Sequence, residues 1–338
     1  MKVLVIKRDK IGDLLLTTPM LAHLKASRPE AQISVLANDY NAWVLEGNRN
    51  VDRIWVYRRL RQGKRLSLGA AWQQLIQSVE LRRERFDVAI VANGEESPRA
   101  IARGLASHAA RVIAYCGDAR RYRGMTDPLP SPRGAHECDR LLALLGPLGI
   151  DMPASTILPE YRLPRTQAEF ARTWLVERSL APGGYVVLGL GARRAKKQPT
   201  PGQVLRWTER LQREHALPTV FMWTPGAGDD FLYPGDDDVA QPVLDAGRPW
   251  IHPFRGPILP ALGLVFSARA SVFPDSGFMH FAAASPGGVL GLFAETDVSP
   301  HPGQWGPRGA RADYIEAEKS VAELSDDAVF ARLSPLLT

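Results

Sequence analysis

Lys2-Val3-Leu4-Val5-Ile6-Lys7-Arg8-Asp9-Lys10-Ile11-Gly12-Asp13 opens the chain with an apolar run that passes straight into a charged loop containing glycine. Lys2–Lys7 reads as a buried strand, because β-branched residues without polar alternation suit a strand covered on both faces. Leu14–Ala26 has the spacing of a helix. Working outward, Gln32–Ala37, Arg53–Tyr57, Asp87–Ala92 and Arg111–Tyr115 read as further strands, with helical stretches such as Leu68–Arg83 between most of them. This βαβα rhythm calls for a parallel sheet with helices on both faces. Around Asp151–Arg165, Pro153, Pro159 and Pro164 break the pattern and suit a linker. The rhythm then restarts, with strands expected at Tyr185–Leu190, Pro218–Trp223, Ser271–Pro274 and Gly288–Phe293. Two tandem α/β domains facing a central cleft is the simplest architecture.

The 338 residues are 45% hydrophobic and 23% charged, which excludes a disordered tail or a fibre. Cys116 and Cys138 show no metal-ligand spacing and are expected to be reduced thiols. Asp9, Lys10 and Asp13 interrupt the N-terminal apolar run, so it does not read as a signal peptide. No uncharged apolar stretch reaches the roughly 18 residues of a membrane span. The expectation is a cytoplasmic protein. Its charge is uneven: residues 1–150 hold 24 Lys and Arg against 15 Asp and Glu, and the remainder hold 18 against 21. The basic half should meet an anionic partner.

Three segments could carry chemistry, each following a strand, where open parallel sheets bind ligands. In the first, Gly12 permits a tight turn into a helix, with Asp13 at or near its start. Such an aspartate could be a helix cap, or it could take a proton from a substrate hydroxyl. The second is Gly189-Leu190-Gly191-Ala192-Arg193-Arg194-Ala195-Lys196-Lys197. Arg194 stands where a dinucleotide fingerprint needs its third glycine, and the phosphate-loop pattern is absent. A glycine turn with four cations remains, which suits an anion or a solvated basic surface. Pro199 and Pro201 then open the next helix. The third is Asp275-Ser276-Gly277-Phe278-Met279-His280, where Ser276 and Gly277 fall at a helix start with free N–H groups.

Taken in order, these segments resemble the ADP-heptose:lipopolysaccharide heptosyltransferases, glycosyltransferase family 9. The N-terminal signature is Arg8, Ile11-Gly12-Asp13 and Thr17-Thr18-Pro19. The middle one is Gly191-Ala192 followed by Lys196-Lys197-Gln198-Pro199. The C-terminal one is Asp275 to His280, then the alanine-rich helix, Leu292-Phe293, Thr296-Asp297 and Trp305-Gly306-Pro307. His136-Glu137 before Arg140-Leu141-Leu142 also resembles the helix that leads into the family's linker. Three positions depart: Gln198 replaces a tryptophan, Ala294 a glycine, and Glu295 a proline.

The resemblance implies a GT-B fold of two Rossmann-like domains, an acceptor-binding one over 1–155 and a nucleotide-sugar-binding one over 156–318. A C-terminal helix over 319–338 is expected to pack back on the first. It implies inverting transfer of a heptose from ADP-L-glycero-D-manno-heptose to the lipopolysaccharide inner core, with no metal and no cofactor. Asp13 is then the base. Gly191, Ala192, Lys196, Asp275, Ser276, Gly277 and His280 hold the donor. The cationic runs Arg58, Arg59, Arg61, Lys64 and Arg120, Arg121 meet an anionic lipid-linked acceptor, and hold the protein peripherally on the inner-membrane surface. Nucleic acid is not an expected partner. A GT-B enzyme using another nucleotide sugar, or a non-catalytic relative that binds sugar nucleotide or lipopolysaccharide, are the alternatives.

Overall fold

The computed structural model describes residues 1–59, 61, 62, 65, 66, 68–192, 194–226, 235–297 and 301–338, with residues 61, 62, 65 and 66 described by their backbone. The chain divides into two units, Met1–Arg162 and Leu163–Thr338, so the boundary falls inside the proline-bearing stretch.

In the first unit the strands are β1 (Lys2–Ile6), β2 (Gln32–Asn38), β3 (Arg53–Tyr57), a short antiparallel pair β4 (Arg61–Gln62) and β5 (Arg65–Leu66), β6 (Val88–Val91), β7 (Arg111–Tyr115) and β8 (Asp127–Leu129). Apart from the short pair they form one parallel sheet in the order β3-β2-β1-β6-β7-β8. Leu4 and Ile6 enter one core cluster with Trp55, Tyr57 and Ile101, while the alternate residues Val3 and Val5 are equally buried. A strand covered on both faces explains why β1 reads as an unbroken apolar run.

The expected helix over Leu14–Ala26 is two helices, α1 (Ile11–Leu15) and α2 (Thr18–Ser27). Pro19 sits at the start of α2, where its missing N–H costs no intrahelical bond. Gly12 lies inside α1 with no left-handed φ, so the tight turn expected of it is not made there. The other helices of this unit are α3 (Leu68–Glu84), α4 (Pro98–Ala106) and α5 (Glu137–Ala143).

The second unit repeats the plan with β9 (Val186–Gly189), β10 (Thr219–Met222), β11 (Ile251–Phe254), β12 (Ala270–Pro274), β13 (Val289–Phe293) and β14 (Ala312–Glu316), all parallel in the order β11-β10-β9-β12-β13-β14. Val186 and Leu188 face one core cluster, Tyr185 and Val187 the other. Its helices are α6 (Arg165–Val176), α7 (Pro201–His215), α8 (Asp237–Asp245), α9 (Ile258–Phe266), α10 (Gly277–Ala283), α11 (Pro302–Trp305) and α12 (Asp326–Leu337). The β8, β11 and β14 strands had no counterpart in the sequence reading. They are edge or near-edge strands whose short, half-polar stretches lack a periodic signal.

The C-terminal helix, expected to return to the first domain, belongs to the second unit. Ser325 caps α12 by accepting from the N–H of Ala328, and Asp326 accepts from the indole of Trp207 on α7 at 2.7 Å. Val329, Phe330, Leu333, Leu336 and Leu337 fill the same core cluster as Trp207 and Leu211. Burying five such side chains at about 1.5–3 kcal/mol each fixes the helix there.

Candidate active site at the two switch points

Both sheets reverse strand order beside their first strand, at β1/β6 and at β9/β12. Crevices outside the carboxyl ends of such strands are where doubly wound sheets bind ligands. Asp13 follows β1, Lys196 and Lys197 follow β9, and Asp275 follows β12.

In the first unit the loop after β1 is held from three sides. The side-chain amide of Asn38 donates to the carbonyl of Arg8 at 2.6 Å, that of Asn41 to the carbonyl of Asp9 at 3.1 Å, and that of Asn93 to the Asp9 carboxylate at 2.7 Å. Lys7, 1% exposed, lies 3.4 Å from the Asp9 carboxylate and 3.8 Å from that of Glu137, itself 2% exposed. Glu137 also accepts from the N–H of Gly94 at 3.0 Å. A Cβ at Gly94 would stand 2.2 Å from the Glu137 carboxylate, so only glycine admits this contact. The His136-Glu137 pair in the sequence thus places a carboxylate beside Lys7, under the loop that leads from β1 into α1, the helix that carries Asp13.

Asp13 is the third residue after the cap Lys10, not the cap itself. Its carboxylate accepts from the Lys10 backbone N–H at 2.9 Å. Burial raises its pKa, the Lys7 charge opposes that rise, and the Asp9 carboxylate adds to it. A carboxyl lifted this way holds a proton more readily than an ordinary aspartate, which suits a general base. Nearby in the same loop cluster, Nε of Arg8 and Oδ1 of Asn93 are buried without a hydrogen-bond partner among the described residues. Buried polar atoms rarely stay unpaired unless a ligand or water completes them.

Of the expected acceptor cations, Arg58, Arg59, Arg120 and Arg121 are exposed or half-buried. Arg59 is paired with Asp39 at 2.9 Å, and Arg120 with Asp118 at 2.9 Å, while Arg121 lies 3.9 Å from Asp118. Arg58 is exposed and its carbonyl accepts from Gln74. Arg61 is described by its backbone, and Lys64 lies outside the described residues.

In the second unit Gly189 serves packing: a Cβ there would stand 2.0 Å from the ring of Phe273, whereas Gly191 has only Thr224 Oγ1 nearby at 3.9 Å. The glycine turn therefore leaves open space at Gly191 alone. Arg193 lies outside the described residues, and Arg194 donates to the carbonyl of Asp297 at 3.0 Å. The two lysines diverge. Lys197 pairs with Asp275 at 2.5 Å, the side chains 12% and 9% exposed, and Lys196 pairs with Glu295 at 2.5 Å on the surface. The Glu295 hydrogen bond raises the Lys196 pKa. Glu295 also lines a recess of about 540 Å³ with Thr296, Asp297, Glu316, Ala317 and Glu318, an acidic setting that the sequence reading did not anticipate.

Gln198, which replaces the motif tryptophan, is buried. Its amide donates to the carbonyl of Ala192 at 2.8 Å and to the Asp236 carboxylate at 2.5 Å. Asp236 also accepts from the N–H of Thr224 at 3.1 Å, and burial raises its pKa. The adjacent Asp237 accepts from Arg255 and from the indole of Trp223, which hold its pKa down at about 2. Pro199 and Pro201 precede α7 as expected, with Thr200 and Gln203 exchanging hydrogen bonds across its first turn. Ser276 is the cap residue of α10, its hydroxyl buried without a partner among the described residues, and Gly277 is the first helical residue. His280 is buried in the second turn of that helix.

The repeated strand order and these switch-point loops define a two-unit Rossmann-like α/β protein of the GT-B type. No protein-family model matches the chain, and no curated protein matches it in sequence. Among solved structures, the glycosyl transferase family 9 protein from Veillonella parvula aligns at a TM-score of 0.83 and 19% identity, over 99% of this chain and 97% of that one. E. coli ADP-heptose lps heptosyltransferase II aligns at 0.76 and 20% identity, over 100% and 98%. E. coli heptosyltransferase WaaC with ADP aligns at 0.74 and 16% identity, over 99% and 100%. Over its whole length, the chain has the fold of these glycosyltransferases.

Proposed function

We propose that this protein is an inverting glycosyltransferase that moves a heptose from ADP-L-glycero-D-manno-heptose to the lipopolysaccharide inner core. The observation that carries the reading is Asp13, a carboxyl with a raised pKa in α1, just beyond the tightly held loop at the switch point of β1. Full-length likeness of fold to heptosyltransferases, one of them with ADP, supports the donor class.

In this mechanism the Asp13 carboxylate takes the proton of the acceptor hydroxyl. That oxygen forms a bond to the anomeric carbon as the bond from this carbon to the diphosphate oxygen breaks on the opposite face. ADP leaves with the electron pair, and negative charge builds on the diphosphate. Side-chain cations and the N–H groups of Ser276 and Gly277 offset it without a metal ion. Lys197 already sits with Asp275 beside that helix start, and Lys196, favoured by its place in the motif, serves if it leaves Glu295. His280 orients the donor from α10, and Gly191-Ala192 leave room for it. The basic first unit meets an anionic lipid-linked acceptor through Arg58, Arg59, Arg61, Lys64, Arg120 and Arg121, with the protein held peripherally at the membrane surface. Among the described residues no helix is long and apolar enough to cross a membrane.

A second reading keeps the chemistry and changes the donor. It is favoured by Gln198 and Glu295, which replace motif residues and are tied to Asp236 and Lys196. A thermal-shift titration with ADP, UDP, GDP and ADP-heptose, with and without excess EDTA, separates the two. Stabilisation by ADP, increased by ADP-heptose and indifferent to EDTA, is the expected result. Preference for UDP or GDP overturns the heptose donor, and no response to any of them overturns transfer altogether.

A further inference from the structure

Helix α3 is turned inside out. Leu68, Trp72, Leu75, Ile76 and Val79 recur at helical spacing on one face, and all are exposed, Trp72 by 66% and Leu75 by 57%. The face turned to the protein carries amides: Gln77 is buried, and Gln73 and Gln74 are half-buried beside Ala70 and Leu81. A surface helix of a globular protein normally does the reverse.

Hydrogen bonds fix this orientation. The side chain of Gln77 donates to the carbonyl of Val56 at 3.0 Å, and that of Gln74 to the carbonyl of Arg58 at 2.5 Å. The guanidinium of Arg103 donates to Gln74 Oε1 at 3.2 Å. Rolling the helix to hide the stripe would strip these partners from edge strand β3 and its following loop, and would bury unpaired amides. The stripe therefore stays outward, a contiguous apolar band of the kind that marks an interaction surface.

Charge selects what covers it. Arg83 continues the stripe at its C-terminal end, Arg82 flanks it, and both are exposed. Arg58 is exposed just before the hairpin that leads into α3. Glu80 is the one exposed carboxylate of the helix, since Glu84 is half-buried between Lys2 and Arg53. We infer that the outward face of α3 is a membrane-docking surface, which lies in the plane of an anionic phospholipid bilayer with Trp72, Leu75, Ile76 and Val79 among the acyl chains and Arg82 and Arg83 at the phosphates. An apolar band with tryptophan and flanking arginines is the composition that seats interfacial helices. A second copy of the chain or an apolar protein partner would not call for the arginines. This inference rests on the reading of a lipid-linked acceptor, and it assigns membrane contact to a named surface rather than to basic residues in general.

The test is co-sedimentation of the full chain with phosphatidylcholine vesicles, with and without phosphatidylglycerol. Wild type is compared with Trp72→Ser/Leu75→Ser/Val79→Ser and with Arg82→Gln/Arg83→Gln. All replaced residues are exposed, and circular dichroism and thermal melting establish that the variants fold. Wild type should bind the anionic vesicles, and added salt should weaken binding without abolishing it. The apolar variant should lose about tenfold or more of its partitioning, because affinity scales with buried apolar area. The arginine variant should lose its preference for anionic over neutral lipid. Equal binding by wild type and the apolar variant, or no binding by wild type, overturns the inference. So does a wild-type dimer in light scattering that the apolar variant converts to monomer without changing vesicle binding. The vesicles contain neither donor nor acceptor. A protein that responds to ADP and ignores vesicles therefore loses this surface and keeps its proposed function, and the converse result separates them equally.

Discussion

The two units share one strand order, yet their switch points hold opposite arrangements of charge. In the first, a lysine is buried to support carboxylates: Lys7 lies beside Asp9 and Glu137, and Asp13 has a raised pKa and accepts from the Lys10 backbone N–H. In the second, each lysine meets one carboxylate, Lys197 pairing with Asp275 in a largely buried position and Lys196 with Glu295 at the surface. The same position of the fold thus carries a carboxyl with a raised pKa in one unit and lysine–carboxylate pairs in the other, and on the proposed reading the first crevice receives a proton and the second an anion. An anion entering the second crevice exchanges one negative partner for another, whereas a proton entering the first neutralises a carboxyl that burial already disfavours as an ion.

The largest expected effect breaks the first arrangement. Lys7→Met removes the buried cation that lies beside Asp9 and buried Glu137, and should cost about 3–5 kcal/mol in urea unfolding, the scale for stranding a buried charge. A loss under about 1 kcal/mol would mean that hydrogen bonds such as that from the Gly94 N–H satisfy Glu137 without the lysine.

Asp13→Asn tests the same crevice by turnover, which should fall about 10²-fold or more with donor binding retained. Its stability effect has the opposite sign to Lys7→Met. Because the folded pKa of Asp13 lies above its ordinary 3.8, the folded state holds that proton longer, and stability falls as pH rises through the interval between the two values. Asparagine removes the charge, so the variant should melt higher than wild type at neutral pH. In the wild type, the acid limb of kcat/KM should lie above 3.8. Near-normal turnover in the variant would remove Asp13 from the role of base and leave it as an acceptor for the Lys10 N–H.

A smaller effect sharpens the comparison in the second crevice. Lys197→Ala should weaken ADP binding about 10- to 100-fold by calorimetry, the scale of a charge-assisted hydrogen bond. Lys196→Ala should change it least, by about threefold or less, since water screens an exposed ion pair and leaves it little net strength. The reverse ranking would show that Lys196 leaves Glu295 for the phosphates, as the sequence motif implies.

Much of the fold was legible. β1 and β9 are buried on both faces, so their apolar runs stand out from any context, and the prolines near residue 160 mark the boundary. The edge strands β11 and β14 were not legible, because pairing with a neighbour rather than periodicity makes them strands. The site was legible as segments: Asp13, Asp275 and the lysines all lie beyond strand ends at the switch points. Their partners were not. Nothing local couples Lys7 to Glu137, or Gln198 to Asp236, across 130 and 38 residues of chain.

The sequence by itself determined the two α/β units, their strand–loop–helix junctions and the basic character of the first half, since these follow from local periodicity and residue type. Tertiary packing alone set which lysine meets which carboxylate, that Gln198 closes on Asp236, and that α3 turns Leu68, Trp72 and Leu75 outward. Periodicity gives a helix two unlike faces, but which face lies inward depends on the donors and acceptors opposite it. On β3 and its following loop those are backbone carbonyls, and they take the glutamines.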